Sequence, residues 1–283
     1  MTKKQLHKLF GLVGYPIGHS LSSHMHNVAF KKLNINAAYL PFQIKLNKLR
    51  EGIDALIETG VSGFNVTIPF KSKCIKYLDS IEPVAKDIGA VNTVVVKKDK
   101  LIGYNTDYLG FLMSLKEDLK FSPRKKKILI LGAGGAARAI CFGLCKEAAQ
   151  NIYVYDIIDK KAKQLISSAK KSFEDIEIVA CRSKDIKNII KSIDLIVNCT
   201  PLGMNKKDPL PIDAKLLHKG LKLYDVVYNP LKTALVIAAS KKGIKASSGL
   251  GMLLYQGALA FELWTGQKAP INLMRKELVD NLA

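Results

Sequence analysis

Arginine is scarce in this chain of 283 residues. Arg50, Arg124, Arg138, Arg182 and Arg275 are the only five among 44 basic residues, and the rest are lysine. The formal net charge of +20 would by itself suggest nucleic acid, a membrane surface or an acidic substrate. The lysines, however, are scattered over helix faces, as in KKL at 31–33, KKAK at 160–163 and KK at 170–171 and 241–242. No basic run is interleaved with aromatics, and no nucleic-acid-binding signature appears. A solvated lysine-rich surface is the reading, with neither nucleic acid nor membrane as a partner. Long apolar runs are also missing: none reaches the length of a membrane span, and MTKKQLHKLFGLVG has no apolar region followed by a small-residue cleavage site. A cytoplasmic location is expected. The five cysteines (Cys74, Cys141, Cys145, Cys181, Cys199) lack metal-ligand spacing, and no histidine accompanies Cys141 and Cys145. They read as buried free thiols of a reducing compartment, and no metal is expected. Internal repeats, low-complexity tracts and long linkers are absent as well.

What is present begins with length and core: 283 residues allow two ordinary domains, and 48% hydrophobic content supports a full core for them. The most informative stretch is KKKILILGAGGAARAI at 125–140. An apolar strand runs into a glycine turn and a small-residue helix start, the shape of a dinucleotide-binding βα turn. Gly132 allows the tight turn, Gly134 lets backbone approach a pyrophosphate, and Ala137 takes the third position of G-x-G-x-x-G/A. The helix then aims its free N–H groups and positive dipole end at the phosphates. NIYVYDI (151–157) reads as the next strand. It ends in Asp156, 24 residues beyond Gly132, against the roughly 20 expected for a ribose-binding acid.

From about 125 to 248 strands and amphipathic helices alternate: KILILGA, NIYVYDI, IEIVACR, DLIVNCT, LKLYDVVY and a shorter IKASS, with helices between. Such alternation predicts a doubly wound parallel sheet. The first hundred residues alternate too, with a helix expected near 23–33, another near 46–59 and helical segments near 71–88. VNTVVVKKDKLIGYN (91–105) reads as a hairpin around Lys98-Asp99-Lys100. The fold class is therefore α/β with two α/β domains, the second of Rossmann type. Two C-terminal helices (251–266 and the segment after it) either complete the second domain or return to the first.

Several strands end in polar clusters. GYPIGHSLSSHMHN (14–27) carries Ser20 and Ser22, FNVTIPFK (64–71) carries Asn65, Thr67 and Lys71, GAVNTV (89–94) carries Asn92, and GYNTD (103–107) carries Asn105 and Asp107. Parallel sheets bind ligands outside the carboxyl ends of their strands, and hydroxyls, amides, one lysine and one carboxylate there suit a small polyhydroxylated acid. Taken singly, each has a bland alternative: Ser22 a helix cap, Asn92 and Asn105 turn residues, Lys71 a surface lysine.

Together, GHSLS…HN, NVTIPFK, GAVNT, GYNTD, LGAGGAARA, VYNP and GLGMLLYQGA occur in that order, and in this the chain resembles the shikimate dehydrogenase family over nearly its full length. The resemblance implies two α/β domains around a deep cleft: 1–106 plus 249–283 for substrate and catalysis, 107–248 for the dinucleotide. It implies reversible hydride transfer between a nicotinamide and C3 of 3-dehydroshikimate or shikimate, a step of aromatic amino acid (chorismate) biosynthesis. Carried over by position, Lys71 and Asp107 are the catalytic pair. Ser20, Ser22 and Tyr228 hold the substrate carboxylate, and Thr67, Asn92 and Gln256 bind ring hydroxyls. Gly132, Ala133, Gly134, Gly135 and Ala136 bind pyrophosphate, and the stretch from Asp156 to Lys161 meets the adenosine ribose. Thr200, Val226, Gly249 and Met252 complete the cofactor site. A quinate/shikimate dehydrogenase and a catalytically silent relative are the alternatives, and monomer and homodimer both stay open.

Three positions depart from the family pattern. Ser23 stands where proline is common, and Ser248 where an aspartate often precedes GLGML. Asp156-Ile157-Ile158 replaces the Asn-Arg-Thr common in members that use NADP. A free carboxylate beside a 2′-phosphate would repel it by up to about 4 kcal/mol at an effective dielectric near 20, softened by solvent, Lys160 and Lys161. The expectation is NAD as preferred cofactor, with NADP as the alternative.

Overall fold

The computed structural model describes residues 8–18 and 20–282. The chain divides into two compact units, one built from the segment up to Thr106 together with Leu254–Asn281, the other from Asp107–Leu253.

The first unit contains β1 (Lys8–Gly14), α1 (Ser22–Lys32), β2 (Ala37–Gln43), α2 (Leu49–Glu58), β3 (Val61–Val66), β4 (Ser80–Ile81), α3 (Pro83–Ile88), β5 (Thr93–Lys97) and β6 (Lys100–Tyr104). Its sheet runs β2-β1-β3-β5-β6-β4. β1 pairs in parallel with β2 and β3, while β5 is antiparallel to both β3 and β6. The β5–β6 hairpin turns on Lys98 and Asp99, at φ 50° and 60°, the left-handed pair that matches strand twist. The helical segments expected near 71–88 are a 3₁₀ turn at Cys74–Tyr77 and α3, separated by the short β4. Pro83 can only begin a helix, and the carboxylate of Asp79 accepts the Leu101 N–H at 2.8 Å, tying this segment to β6.

Strand alternation gives this sheet two unlike faces. Val13, Phe64, Val66, Val94 and Leu101 pack with Leu49, Ile53 and Leu56 of α2 in an aliphatic-rich core. The opposite face carries Phe10, Tyr39, Asn65 and Thr93; Phe10 pairs with Tyr39, and Asn65 pairs with Leu12 on one side and Thr93 on the other. Phe10 stacks on Phe30 and Trp264, and His26 on Tyr39.

The second unit comprises α4 (Asp107–Glu117), β7 (Lys127–Leu131), α5 (Gly135–Lys146), β8 (Asn151–Tyr155), α6 (Asp159–Lys170), β9 (Glu177–Ala180), α7 (Ser183–Ile189), β10 (Leu195–Asn198), β11 (Lys222–Asp225), α8 (Ala234–Lys241) and β12 (Ala246–Ser248). All its strands are parallel, in the order β12-β11-β10-β7-β8-β9. This is the doubly wound order of a Rossmann fold, with its switch point between β7 and β10. The run Ile128-Leu129-Ile130-Leu131 is fully buried because helices cover both faces. Ile128 and Ile130 pack with Ile140 and Leu144 of α5, and Leu129 and Leu131 with Ile186, Leu235 and Ala239. α9 (Leu250–Thr265) begins in this unit and ends in the first, to which α10 (Ile271–Asp280) also belongs. Among the described residues no helix is long and apolar enough to cross a membrane.

Candidate active site

In the first unit two hydrogen-bonded groups link several of the polar residues singled out above. Leu21 occupies the N-cap of α1, so Ser22 is its first helical residue and does not cap it. The Ser20 hydroxyl donates to the Ser22 hydroxyl at 3.2 Å and accepts the Ser22 N–H at 3.3 Å. The Tyr39 phenol donates to Asn65 Oδ1 at 2.8 Å. The Asn65 amide donates to the Asn92 carbonyl at 3.1 Å and to Thr93 Oγ1 at 3.0 Å. Asn92 is buried; its amide donates to Thr106 Oγ1 at 2.9 Å and to Gln256 Oε1 at 3.2 Å, and its Oδ1 accepts the Thr106 N–H at 2.7 Å. Ser20 and Ser22 are thus paired with each other, and Asn92 and Gln256 are joined in a separate network with Asn65. Tyr39, Thr93 and Thr106 belong to the latter. Thr93 and Thr106 fall within the motifs GAVNT and GYNTD, whereas Tyr39 carries no signal in sequence beyond the apolar–polar alternation of its strand.

Thr67 and Lys71 follow β3. The Thr67 N–H donates to the Val13 carbonyl at 2.9 Å, and the Lys71 carbonyl accepts the Val91 N–H at 2.7 Å, so Lys71 is anchored beside Asn92 in the chain. Its side chain is half-buried. Asp107 is buried and opens α4, at the start of the second unit.

In the second unit the glycine turn has the geometry a dinucleotide needs. Gly132 has φ +95°, and a Cβ there would lie 3.1 Å from the Cys199 backbone carbonyl, since β7 and β10 adjoin at the switch point. Gly134 is the N-cap of α5, has no side-chain cap, and faces open space within 4 Å of its Cβ direction. The turn therefore offers uncapped backbone N–H groups and an unobstructed approach, which fits a pyrophosphate. Gly132→Ala is expected to lower stability by roughly 1–3 kcal/mol through left-handed strain, read as a shifted urea midpoint. A change below about 0.5 kcal/mol would contradict the strain.

The far side of the turn is held by a second buried network. Asp225 is fully buried at the end of β11. It accepts the Asn198 amide at 2.9 Å, the Val227 N–H at 3.1 Å and the Thr233 hydroxyl at 2.6 Å. Burial raises its carboxyl above the ordinary range, against these three bonds. Asn198 Oδ1 accepts the Thr200 hydroxyl at 2.7 Å, and the Gly249 N–H donates to the Val227 carbonyl at 3.1 Å. Thr200, Val226 and Gly249 are therefore tied to one carboxylate, which sequence reasoning passed over. Met252 is buried in the same cluster as Phe111 and Tyr224, and Tyr228 is half-buried. All five thiols are free, and burial pushes Cys74 up to about 12. No group of side chains suited to a metal occurs among the described residues.

Three family profiles match the chain: "Shikimate dehydrogenase substrate binding domain" over residues 12–94, "Shikimate / quinate 5-dehydrogenase" over 115–204 and "Shikimate 5'-dehydrogenase C-terminal domain" over 249–279. A Methanopyrus kandleri protein named shikimate dehydrogenase (NADP(+)) is 42% identical over 275 residues, 96% of this chain and 95% of its own. A Bacillus cereus protein of the same name is 41% identical over 276 residues, 97% of this chain and 99% of its own. The crystal structure of a shikimate dehydrogenase in complex with NADP+ superposes with TM-score 0.89 at 38% identity, covering 98% of this chain and 96% of that one.

These relatives correct the expectation that NAD is preferred, since they are named for, or bind, NADP. The physical reason lies in Asp156. It was read as a free carboxylate, but one oxygen accepts the Ala133 N–H of the glycine turn and the other the Ile158 N–H, each at 2.8 Å. It serves as a clasp between strand end and turn, its charge already partly satisfied. With profiles matching from residue 12 to 279 and relatives of about this identity along nearly its whole length, the chain belongs to the shikimate dehydrogenase family.

Proposed function

We propose that this protein catalyses the reversible NADP-dependent reduction of 3-dehydroshikimate to shikimate. The observation that carries the reading is the two hydrogen-bonded pairs of the first unit, Ser20 with Ser22 and Asn92 with Gln256, in a chain of this family. Hydroxyl and amide groups of that kind match a carboxylate and ring hydroxyls, and they are preorganised by their mutual hydrogen bonds.

The bound nicotinamide supplies or accepts the hydride at C3. Ser20, Ser22 and Tyr228 orient the substrate carboxylate, and Thr67, Asn92 and Gln256 its hydroxyls. Lys71 donates a hydrogen bond to the C3 oxygen, stabilises the negative charge that grows there and hands over a proton. Asp107 is the second member of the catalytic pair. Gly132 to Ala136 cradle the pyrophosphate. Lys161, with Lys160, stands in the first turn of α6, whose N-cap Ile158 has no side-chain cap. Two cations at a positive helix end favour a 2′-phosphate.

Steady-state assays crossing shikimate and quinate with NADP and NAD test this. Shikimate with NADP is expected to give the highest kcat/KM, about tenfold or more above shikimate with NAD, the ratio that roughly 1.4 kcal/mol of phosphate recognition supplies. Failure to turn over shikimate with either cofactor would refute the activity. Equal kcat/KM for NAD and NADP would refute the role of the α6 lysines.

A further inference from the structure

Asp225 ends β11 and stands in register with Asn198, the last residue of β10. Both are fully buried, at the carboxyl ends of the strands, where a doubly wound sheet receives its ligand. The two oxygens of Asp225 serve different segments. Oδ1 accepts the Asn198 amide at 2.9 Å and the Val227 N–H at 3.1 Å, and Oδ2 accepts the Thr233 hydroxyl at 2.6 Å. Thr233 is the N-cap of α8, where its hydroxyl oxygen accepts the Val236 N–H at 3.2 Å. Asn198 is saturated in turn. Its amide also donates to the Leu202 carbonyl at 3.2 Å, and its Oδ1 accepts both the N–H and the hydroxyl of Thr200, at 3.1 and 2.7 Å. These bonds fill both donors and both lone pairs that an asparagine side chain has. The Val226 N–H donates to the Asn198 carbonyl at 2.9 Å, and a Cβ on Gly249 would collide with the Val226 carbonyl. Val226 is thus fixed between β10 and the glycine that precedes α9.

We propose that Asp225 is a positioning residue for the nicotinamide: its Oδ1 sets Thr200, through Asn198, and Val226, through the Val227 N–H, and so aligns the ring for hydride transfer. The proposal rests on the reading of Thr200 and Val226 as cofactor residues. An ionised carboxylate only accepts, so the Asn198 amide is turned with its nitrogen toward Asp225 and its oxygen toward Thr200. A hydrocarbon at position 225 leaves one amide proton of Asn198 and the Val227 N–H without their acceptor, and buried donors of that kind are costly to leave unpaired. Both turn to other partners, and the ends of β10 and β11 move with them. Hydride transfer needs the reacting atoms in near-attack geometry, and a misplacement of about 1 Å costs about 10²-fold in rate. The pyrophosphate turn, Gly132 to Ala136, makes none of the bonds to Asp225. The adenosine and phosphate end of the cofactor is therefore held independently of this carboxylate.

The test assays the full chain with shikimate and NADP and counts intact sites with 2′-phospho-ADP-ribose, which is NADP without its nicotinamide. Asp225→Ala is expected to bind this probe with wild-type stoichiometry and affinity, while kcat per counted site falls about 10²-fold. Asp225→Asn can keep an oxygen toward Asn198 and Val227 and donate its amide to Thr233 Oγ1, so it is expected to recover kcat per site to within about threefold of wild type. Loss of the probe, in number of sites or in affinity, as large as the loss of kcat marks a merely structural carboxylate and overturns the proposal. An asparagine variant as slow as the alanine variant overturns it too. If Asp225→Ala does not fold, a crystal structure of the wild type with NADP decides. Thr200 and Val226 in contact with the nicotinamide ring, with Asp225 Oδ1 still bonded to Asn198 and Val227, supports the proposal, and a ring seated away from both overturns it. A wild type that turns over no shikimate with NADP would instead remove the reading of the cofactor site, and the proposal with it. An active wild type with unchanged kcat in Asp225→Ala would remove the proposal alone.

Discussion

Lys71→Ala is expected to lower kcat for shikimate oxidation by about 10³-fold, within the roughly 10²–10⁴-fold that a positioned proton donor supplies. Reduction of the ketone needs a hydride at carbon and a proton at oxygen, and in the proposed mechanism the Lys71 side chain would serve the second need, by its charge beside the growing alkoxide and as the proton source. Lys71 is half-buried, and its backbone carbonyl, which anchors Val91, survives the substitution, so folding and NADP affinity should be unchanged. Lys71→Arg separates the two contributions. Arginine keeps the charge but does not release its proton, so a loss of about 10²-fold or more is expected there too. An alanine variant within tenfold of wild-type kcat would exclude Lys71 as the donor.

The second large effect is on acid stability. His26 is completely buried among Tyr39, Phe30, Phe261 and Trp264. Neither ring nitrogen has a hydrogen-bond partner among the described residues, and burial lowers its pKa to about 3. Between about 3 and 6.5 the unfolded chain binds a proton at this imidazole and the folded chain does not. Stability is therefore fully present above the unfolded value and falls as the pH drops, by about 1.4 kcal/mol per unit within that window. From pH 6.5 to 4.5 this one ring should cost the fold roughly 2–3 kcal/mol. His26→Phe keeps an aromatic ring in the stack and has nothing to protonate. Urea midpoints measured from pH 8 to 4.5 should decline less steeply for the variant by that amount, and parallel declines would exclude His26 as the source.

The local devices of this fold are legible residue by residue. Ile128 to Leu131 followed by Gly132 announces a strand buried on both faces and a turn that only glycine tolerates. Lys98 and Asp99 between two β-rich arms announce a hairpin. Ser20, Ser22, Lys71, Asn92, Asp107 and Gln256 stand out because their motifs occur in order along the chain. Tyr39 and Asp225 do not stand out in this way. AAYLPFQI reads as an ordinary half-buried strand, and nothing within it says that its tyrosine meets an asparagine 26 residues later. That meeting depends on Phe10 pairing with Tyr39 on one side while Leu12 pairs with Asn65 on the other, a register that periodicity leaves open.

Asp156 shows the same division at the cofactor site. Its place at the end of β8 follows from the sequence, because strand, turn and helix lengths in a βαβ unit are local properties of the chain. What its carboxylate does depends on the Ala133 N–H, 23 residues away in sequence and beside it in space, and reading it as free led to the wrong cofactor. The parallel sheet, the glycine turn and the candidate chemistry are written into short stretches of chain, since each follows from side-chain period and backbone permission over a few residues. Which polar atoms are already spent on one another is set by folding, because hydrogen-bond partners are assigned by strand register and burial across distant segments.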